Sequence, residues 1–397
     1  MIAESQNRIN IADILAYICI ALSAIVALDE NMNTYALFLA IPASFVLCFL
    51  TYNTLSQNKY LRILLAIYLW LCVSYVFTDN IAAANDEMRK ILGCFILSYS
   101  VASLAQKPKA IPWLYIIYCL LLVYAWKYAS EHIIDDIVFG SERLNDETLN
   151  ANHLAYYTFY ATICVYILGE MVSVSWIRNL FRIIFWGTLI LSFYTAIFTA
   201  SRQILIIQVP LFAILIICRY MIQSRTSAIF KWLIIVVSIV AAVYVYNNYY
   251  HKIYDDSLLQ ERNSNKVEDD DRTRIALEAL EISTEHPILG YGPGNAMYNI
   301  STKTFTHNTF LELLVNGGIP CMLIFAYLVY TFLATQIRRW RKTRDKQYLT
   351  FIIFGLFWLV DQFFYVFYVD LWLISFFILV ATHSDTYYKN SLNKLEQ

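Results

Sequence analysis

The sequence predicts an all-α integral membrane protein with about twelve transmembrane helices and one large outer loop that contains a short amphipathic helix. Three observations predict it. Of 397 residues, 59% are apolar and only 15% are charged, where a soluble domain has about 45–50% and about 25%. The mean hydropathy is +0.53. The apolar residues are also gathered into runs close to the roughly 20 residues that cross a bilayer as a helix.

In chain order these runs lie near 10–28, 35–52, 61–78, 91–106, 111–129, 154–173, 179–200, 203–221, 229–247, 310–335, 348–366 and 368–384. The fourth is the weakest, because Ser98, Ser100 and Ser103 dilute it. Tyr244, Tyr246, Tyr249 and Tyr250 end the ninth as an interfacial aromatic belt would. Lys and Arg favour alternate loops, most densely at Arg338, Arg339, Arg341, Lys342, Arg344 and Lys346. Asp29, Glu30, Asp135, Asp136, Glu142, Asp146 and Glu147 fall in the opposite set. The positive-inside rule then places both termini in the cytoplasm. No strongly basic stretch precedes the first span and no A-x-A site follows it, so it reads as an uncleaved helix.

Two outside segments are long, about 130–153 and about 248–309. The expected organisation is helices 1 to 9 over 1–247, an outer loop over 248–309 with a helix at 272–286, and helices 10 to 12 with a cytoplasmic tail over 310–397.

Such a composition excludes a soluble enzyme, a disordered tail and a secreted disulfide scaffold. The net charge of −1 gives no bulk attraction to nucleic acid. All 8 cysteines sit inside apolar runs, none in a C-x-x-C pair, and read as small hydrophobes. The chain has no G-x-x-x-x-G-K-[ST], G-x-S-x-G or H-E-x-x-H motif. Asp269, Asp270 and Asp271 read as a solvated acidic cap, so neither metal nor cofactor is expected.

Three segments have residues suited to chemistry. In the long loop, Asp271 is a good N-cap and Pro287 a stop, with Ile275, Ala279, Leu280 and Ile282 as a modest apolar face. Arg272 and Arg274 flank this helix start, where a guanidinium and free amides suit an anion such as phosphate. Arg274 has Glu278 four residues on as a surface partner, and position 276 is alanine, which tilts the choice toward Arg272. Both can equally be solvated charges balancing the three aspartates. Arg202, in TASRQ between the seventh and eighth spans, is either paired in a watery cavity or snorkelling from a tight turn. His307 opens the tenth span in THNTFLELLVNGG. The positive end of a helix dipole keeps such an imidazole neutral near pH 7, so it can act as a general base. The competing reading is an ordinary interfacial histidine. Asn308, Glu312, Asn152, His153 and Asp361 are further candidates for contacts to sugar hydroxyls, or are simply buried and satisfied.

Together these motifs resemble the bacterial O-antigen ligase and polymerase superfamily of integral membrane glycan transferases. The resemblance rests on TASRQ after the seventh span, on DRTRIALEALEISTEHPILGYGPGN and on THNTFLELLVNGG, and covers about 200–320. The Arg272-to-Pro287 spacing and the element at Asn152 are also similar. Ala276 departs from the family's usual aromatic and Pro320 from its usual glycine. The resemblance implies metal-independent, inverting transfer on the periplasmic face of the inner membrane. The donor would be a glycan on undecaprenyl diphosphate. For a ligase the acceptor would be lipid A–core, with only membrane lipid as a further partner. It also implies diphosphate binding by Arg202 and Arg272, with Arg274 the alternative, and proton removal by His307. The compact THN element and single large loop favour a ligase. A polymerase that extends the lipid-linked glycan is the alternative. A glycan transporter is the third reading, opposed by the absence of two similar halves and of midplane charges.

Overall fold

The computed structural model describes residues 9–25, 35–121, 151–198 and 271–393. Among them the secondary structure is helical, with no strand. The principal helices are α1 (Ile11–Ile25), α2 (Ile41–Thr51), α3 (Lys59–Ser74), α4 (Ile81–Leu104), α5 (Ile111–Leu121), α6 (Ala151–Met171), α7 (Ser175–Phe198), α8 (Asp271–Ser283), α9 (Thr309–Thr343), α10 (Gln347–Asp361) and α11 (Leu371–Asn393). Each expected apolar run within the described residues coincides with a helix. The runs at 203–221 and 229–247 lie outside them.

Among the described residues two helical stretches, Lys59–Phe77 and Thr309–Thr343, are long and apolar enough to cross a membrane. α1, α5, α10 and Leu37–Thr51 are shorter apolar helices. Several helix starts were written in asparagine. Asn58 caps α3 through Tyr60 N and Leu61 N, Asn80 caps α4 through Ala83 N, and Asn308 caps α9 through Phe310 N and Leu311 N.

The polarity of the bundle suits lipid outside and hydrogen bonds within. Ile14, Ile18, Leu22, Leu50, Leu69, Ile183 and Ile190 face outward. The serines that dilute the fourth run face inward: Ser98, Ser100 and Ser103 are fully buried. Ser44 Oγ donates to Ser100 Oγ at 3.0 Å, and Thr54 and Ser103 hydroxyls meet at 2.6 Å. These small polar side chains join α4 to α2 and the short turn after it, as expected where lipid removes the hydrophobic drive for helix pairing. α4 also packs on α11, and α9 packs on α3, α10 and α8.

A buried ion pair ties the first helix into this frame. Asp13 and Asn10 form a reciprocal cap at 2.8 Å in each direction. Lys107 Nζ reaches Asp13 Oδ2 at 2.5 Å, and the Tyr52 hydroxyl donates to the other carboxylate oxygen.

Candidate active site

The site forms around a break in α9. Pro320 has no N–H to give to the Asn316 carbonyl, and Gly318 leaves helical geometry at φ 72, ψ −177. The freed groups find partners in the loop before the helix. Tyr291 N donates to Val315 O at 2.8 Å, Gly292 N to Asn316 O at 3.0 Å, and Ile319 N to Pro287 O at 2.8 Å. Trp70 Nε1 of α3 satisfies the Gly317 carbonyl at 2.7 Å. Residues 287–292 are therefore laid along the break, and Tyr291, Gly292 and Pro287 answer the backbone groups it frees.

The rest of the glycine-rich stretch docks on α4. A side chain at Gly294 would meet Ala83 O at 2.7 Å. Asn295 is fully buried. Its Oδ1 accepts from Asn80 N at 3.0 Å, and its Nδ2 donates to Pro293 O at 3.0 Å and to the Thr78 hydroxyl. The sequence GYGPGN is thus a structural clamp between α4 and α9.

α8 lies on the first turns of α9. Ile275, Ala279, Tyr291, Ala296, Ile300 and Val315 form a separate small core there, flanked by Ile282 and Leu311. The helix ends at Ser283, three residues before the expected 286, and continues as turns in which Ser283 and Thr284 hydroxyls bond back to Leu280 O and Glu281 O at 2.7 Å. Leu280 faces out, contrary to its assigned place on the apolar face. Glu278 accepts the Ser301 amide at 2.7 Å and its hydroxyl at 2.8 Å. Arg272, half-buried at the start of α8, is brought beside His307, whereas Arg274 is exposed.

His307 sits in the turn before α9 with φ 54, a left-handed conformation uncommon outside glycine. The turn is held from below. Thr306 N donates to Glu312 Oε2 at 2.9 Å, and the Thr306 hydroxyl lies 2.8 Å from the same oxygen. Glu312 is 1% exposed, so its carboxylate is committed to this turn. A buried polar chain continues: Asn316 Nδ2 donates to the Tyr368 hydroxyl at 3.0 Å, and that hydroxyl donates to Glu87 Oε1 at 2.6 Å. Asn316 Oδ1 also accepts Ala296 N at 2.8 Å. Burial, and second the Arg272 guanidinium, push the His307 imidazole down to about 4. The direction is that expected from the sequence, but burial leads, not the helix dipole. A neutral, half-buried imidazole next to a cation can accept a proton only as anionic charge gathers nearby.

His307 opens on a cavity of about 700 Å³, a size suited to a small-molecule or lipid head group. Tyr156, Tyr157, Phe305, Tyr365 and Trp372 line it, with Asp86, Arg89 and Lys90 from α4 and Asp370 before α11. Asp370 is engaged by Tyr365 at 3.0 Å and caps α11 through Trp372 N and Leu373 N. These wall residues were not singled out in the sequence. The one available signal was the charge run NDEMRK entering the weakest span.

The remaining sequence candidates separate. Asp361 is fully buried and takes the Tyr160 hydroxyl at 2.6 Å. Asn308 Oδ1 is committed to its cap at 2.9 and 3.2 Å. Asn152 and His153 belong to the first turn of α6, one turn before Tyr156 and Tyr157, and their side chains lie outside the description. Arg202 lies outside the described residues. Among the described residues no group of three His, Cys, Asp or Glu is placed to hold a metal ion.

A search of curated proteins finds no match to the chain. Residues 187–326 match the model of the family described as O-Antigen ligase. That family covers ligases and polymerases that are glycosyltransferase-like and integral to bacterial membranes. The matched stretch runs from α7 through α8 and His307 to the break in α9. Over residues 187–326, between the middle of α7 and the turn after the break in α9, the chain is thus similar to the O-antigen ligase family.

Proposed function

We propose that the protein is an O-antigen ligase, transferring a polysaccharide from undecaprenyl diphosphate to a sugar hydroxyl of lipid A–core. In this reading it crosses the bacterial inner membrane about twelve times, with both termini cytoplasmic and the cavity on the periplasmic face. The observation that carries the reading is the proximity of Arg272 to His307 at the wall of an aromatic cavity, within the stretch that matches the family.

The acceptor hydroxyl attacks the anomeric carbon from the face opposite the diphosphate. The new C–O bond forms as the bond to the diphosphate oxygen breaks, and the configuration inverts. Undecaprenyl diphosphate leaves with the bonding electron pair. Arg272 and Arg202 neutralise the charge that develops on it. His307 takes the hydroxyl proton, and its low starting affinity rises as the diphosphate offsets the Arg272 charge. Glu312 fixes the turn that carries the imidazole.

A lipopolysaccharide gel of a deletion strain, complemented with wild type or His307→Ala, tests this. Bare core with long polymer left on undecaprenyl diphosphate, unrescued by His307→Ala, is the expected result. A core bearing one repeat unit and no ladder would replace ligase by polymerase.

A further inference from the structure

Arg89 is the feature of the cavity that the proposed chemistry leaves unused. It lies on α4, outside the matched stretch, and lines the same cavity as His307. Its neighbour Lys90 is paired with Asp86 at 2.8 Å. Arg89 is exposed and has no hydrogen bond or ion pair among the described residues.

The positions that follow Arg89 on the same helix face are apolar. Leu92, Gly93 and Ile96, at i+3, i+4 and i+7, also line the cavity. Leu37, Phe38 and Pro42 add further apolar surface to the lining. Leu92 is 58% exposed and Phe38 68% exposed, so this side of the cavity opens outward between apolar side chains. From Arg89 to Ile96 the helix rises about 10 Å. The wall therefore changes from cationic to apolar along one helix, the polarity of a lipid that carries a phosphate at its head.

We propose that this side of the cavity is a lateral portal for a phosphate-bearing lipid substrate, with Arg89 holding the phosphate and the Leu92–Gly93–Ile96 face taking the first part of the tail. The inference deepens the transferase reading and rests on it: a lipid-borne substrate needs a route from the bilayer to His307, and a free guanidinium at the threshold orients its head inward. Two substrates have this chemistry, the lipid diphosphate donor and the phosphorylated glycolipid acceptor.

The test uses the full chain in nanodiscs of zwitterionic lipid. Binding of undecaprenyl diphosphate, undecaprenol, purified lipid A–core and phosphatidylglycerol is measured for wild type, Arg89→Gln, Arg89→Lys and His307→Ala. The expected result is a loss of at least about tenfold for one phosphorylated substrate in Arg89→Gln, the size of one charge-assisted hydrogen bond. Arg89→Lys should recover part of it, undecaprenol binding should be unchanged, and His307→Ala should bind like wild type. The substrate whose affinity falls identifies the source. Wild-type affinity of Arg89→Gln for both substrates overturns the portal, as does a loss confined to phosphatidylglycerol. Failure of wild type to bind either substrate overturns the transferase reading itself.

Discussion

Gly318→Ala tests the link between the broken helix and the chemistry. At φ 72, ψ −177 the backbone is in a region that is almost confined to glycine. Forcing alanine there costs about 1–3 kcal/mol in backbone strain alone. The added Cβ would lie 2.2 Å from Ile288 O and 2.8 Å from Pro287 O, both backbone atoms that no rotamer can clear. Overpacking of this kind adds about 1–3 kcal/mol, so the total is roughly 2–6 kcal/mol. The segment pushed away is the one laid along the break, and α8 leads directly into it. Arg272 should then move off His307. Gly187→Ala is the matched control: an exposed position within α7 where a Cβ meets nothing within 4 Å. It should be neutral or gain about 0.5–1 kcal/mol. Thermal unfolding of both variants in detergent, with transfer activity measured below the lower midpoint, gives the comparison. If Gly318→Ala unfolds with the wild-type midpoint and keeps full activity, residues 287–292 do not depend on the break and the coupling argued above is wrong.

Other outcomes follow from the same geometry. With His307 held at about 4 in the free protein, kcat/KM should stay level as pH falls from 7 and drop only as pH nears that value, because the neutral imidazole is the active form. A limb at the ordinary histidine value would contradict the burial. Arg272→Gln should shift that limb to higher pH, since a repelling charge is removed, while lowering kcat; a limb that stays put would show that the guanidinium does not act on His307. Asn295→Ala, which removes three buried hydrogen bonds, should cost about 2–4 kcal/mol of unfolding free energy, and an unchanged denaturation midpoint would argue against the clamp. Asp13→Ala removes the carboxylate paired with buried Lys107 and should cost about 3–5 kcal/mol; removing both charges together should cost less, and equal losses would refute the pairing.

Where the fold was legible in the sequence, the reason was the length and spacing of the apolar runs. Apolar runs gave the helices, whereas the caps at Asn58, Asn80 and Asn308 emerge only in the structure, Asn308 having been expected as a sugar contact. The serines of the fourth run read as a weakness because hydropathy has no direction, whereas in the bundle all three are buried and Ser100 and Ser103 meet Ser44 and Thr54. The break at Gly318 was not legible, since NGGIP shows only that a helix is strained and not which loop answers its carbonyls. At the site, Arg272 and His307 are far apart in sequence and meet because α8 lies on α9. Glu312 was visible as a costly acid near a helix start, but its role under the His307 turn depends on Thr306 coming back to meet it. Arg89 was hidden in an ordinary charge run. Both Arg89 and Lys90 line the cavity, and only the pairing of Lys90 with Asp86 tells the two apart.

The Asp13–Lys107 pair has a consequence for how the chain is made. The carboxylate belongs to α1, and its ammonium partner is synthesised 94 residues later. Until then α1 holds an acid whose counter-charge does not yet exist, and such an acid resists burial. α1 should therefore stay loosely seated until the segment between α4 and α5 emerges. Closure of this contact would then set the moment at which the amino-terminal helices lock together.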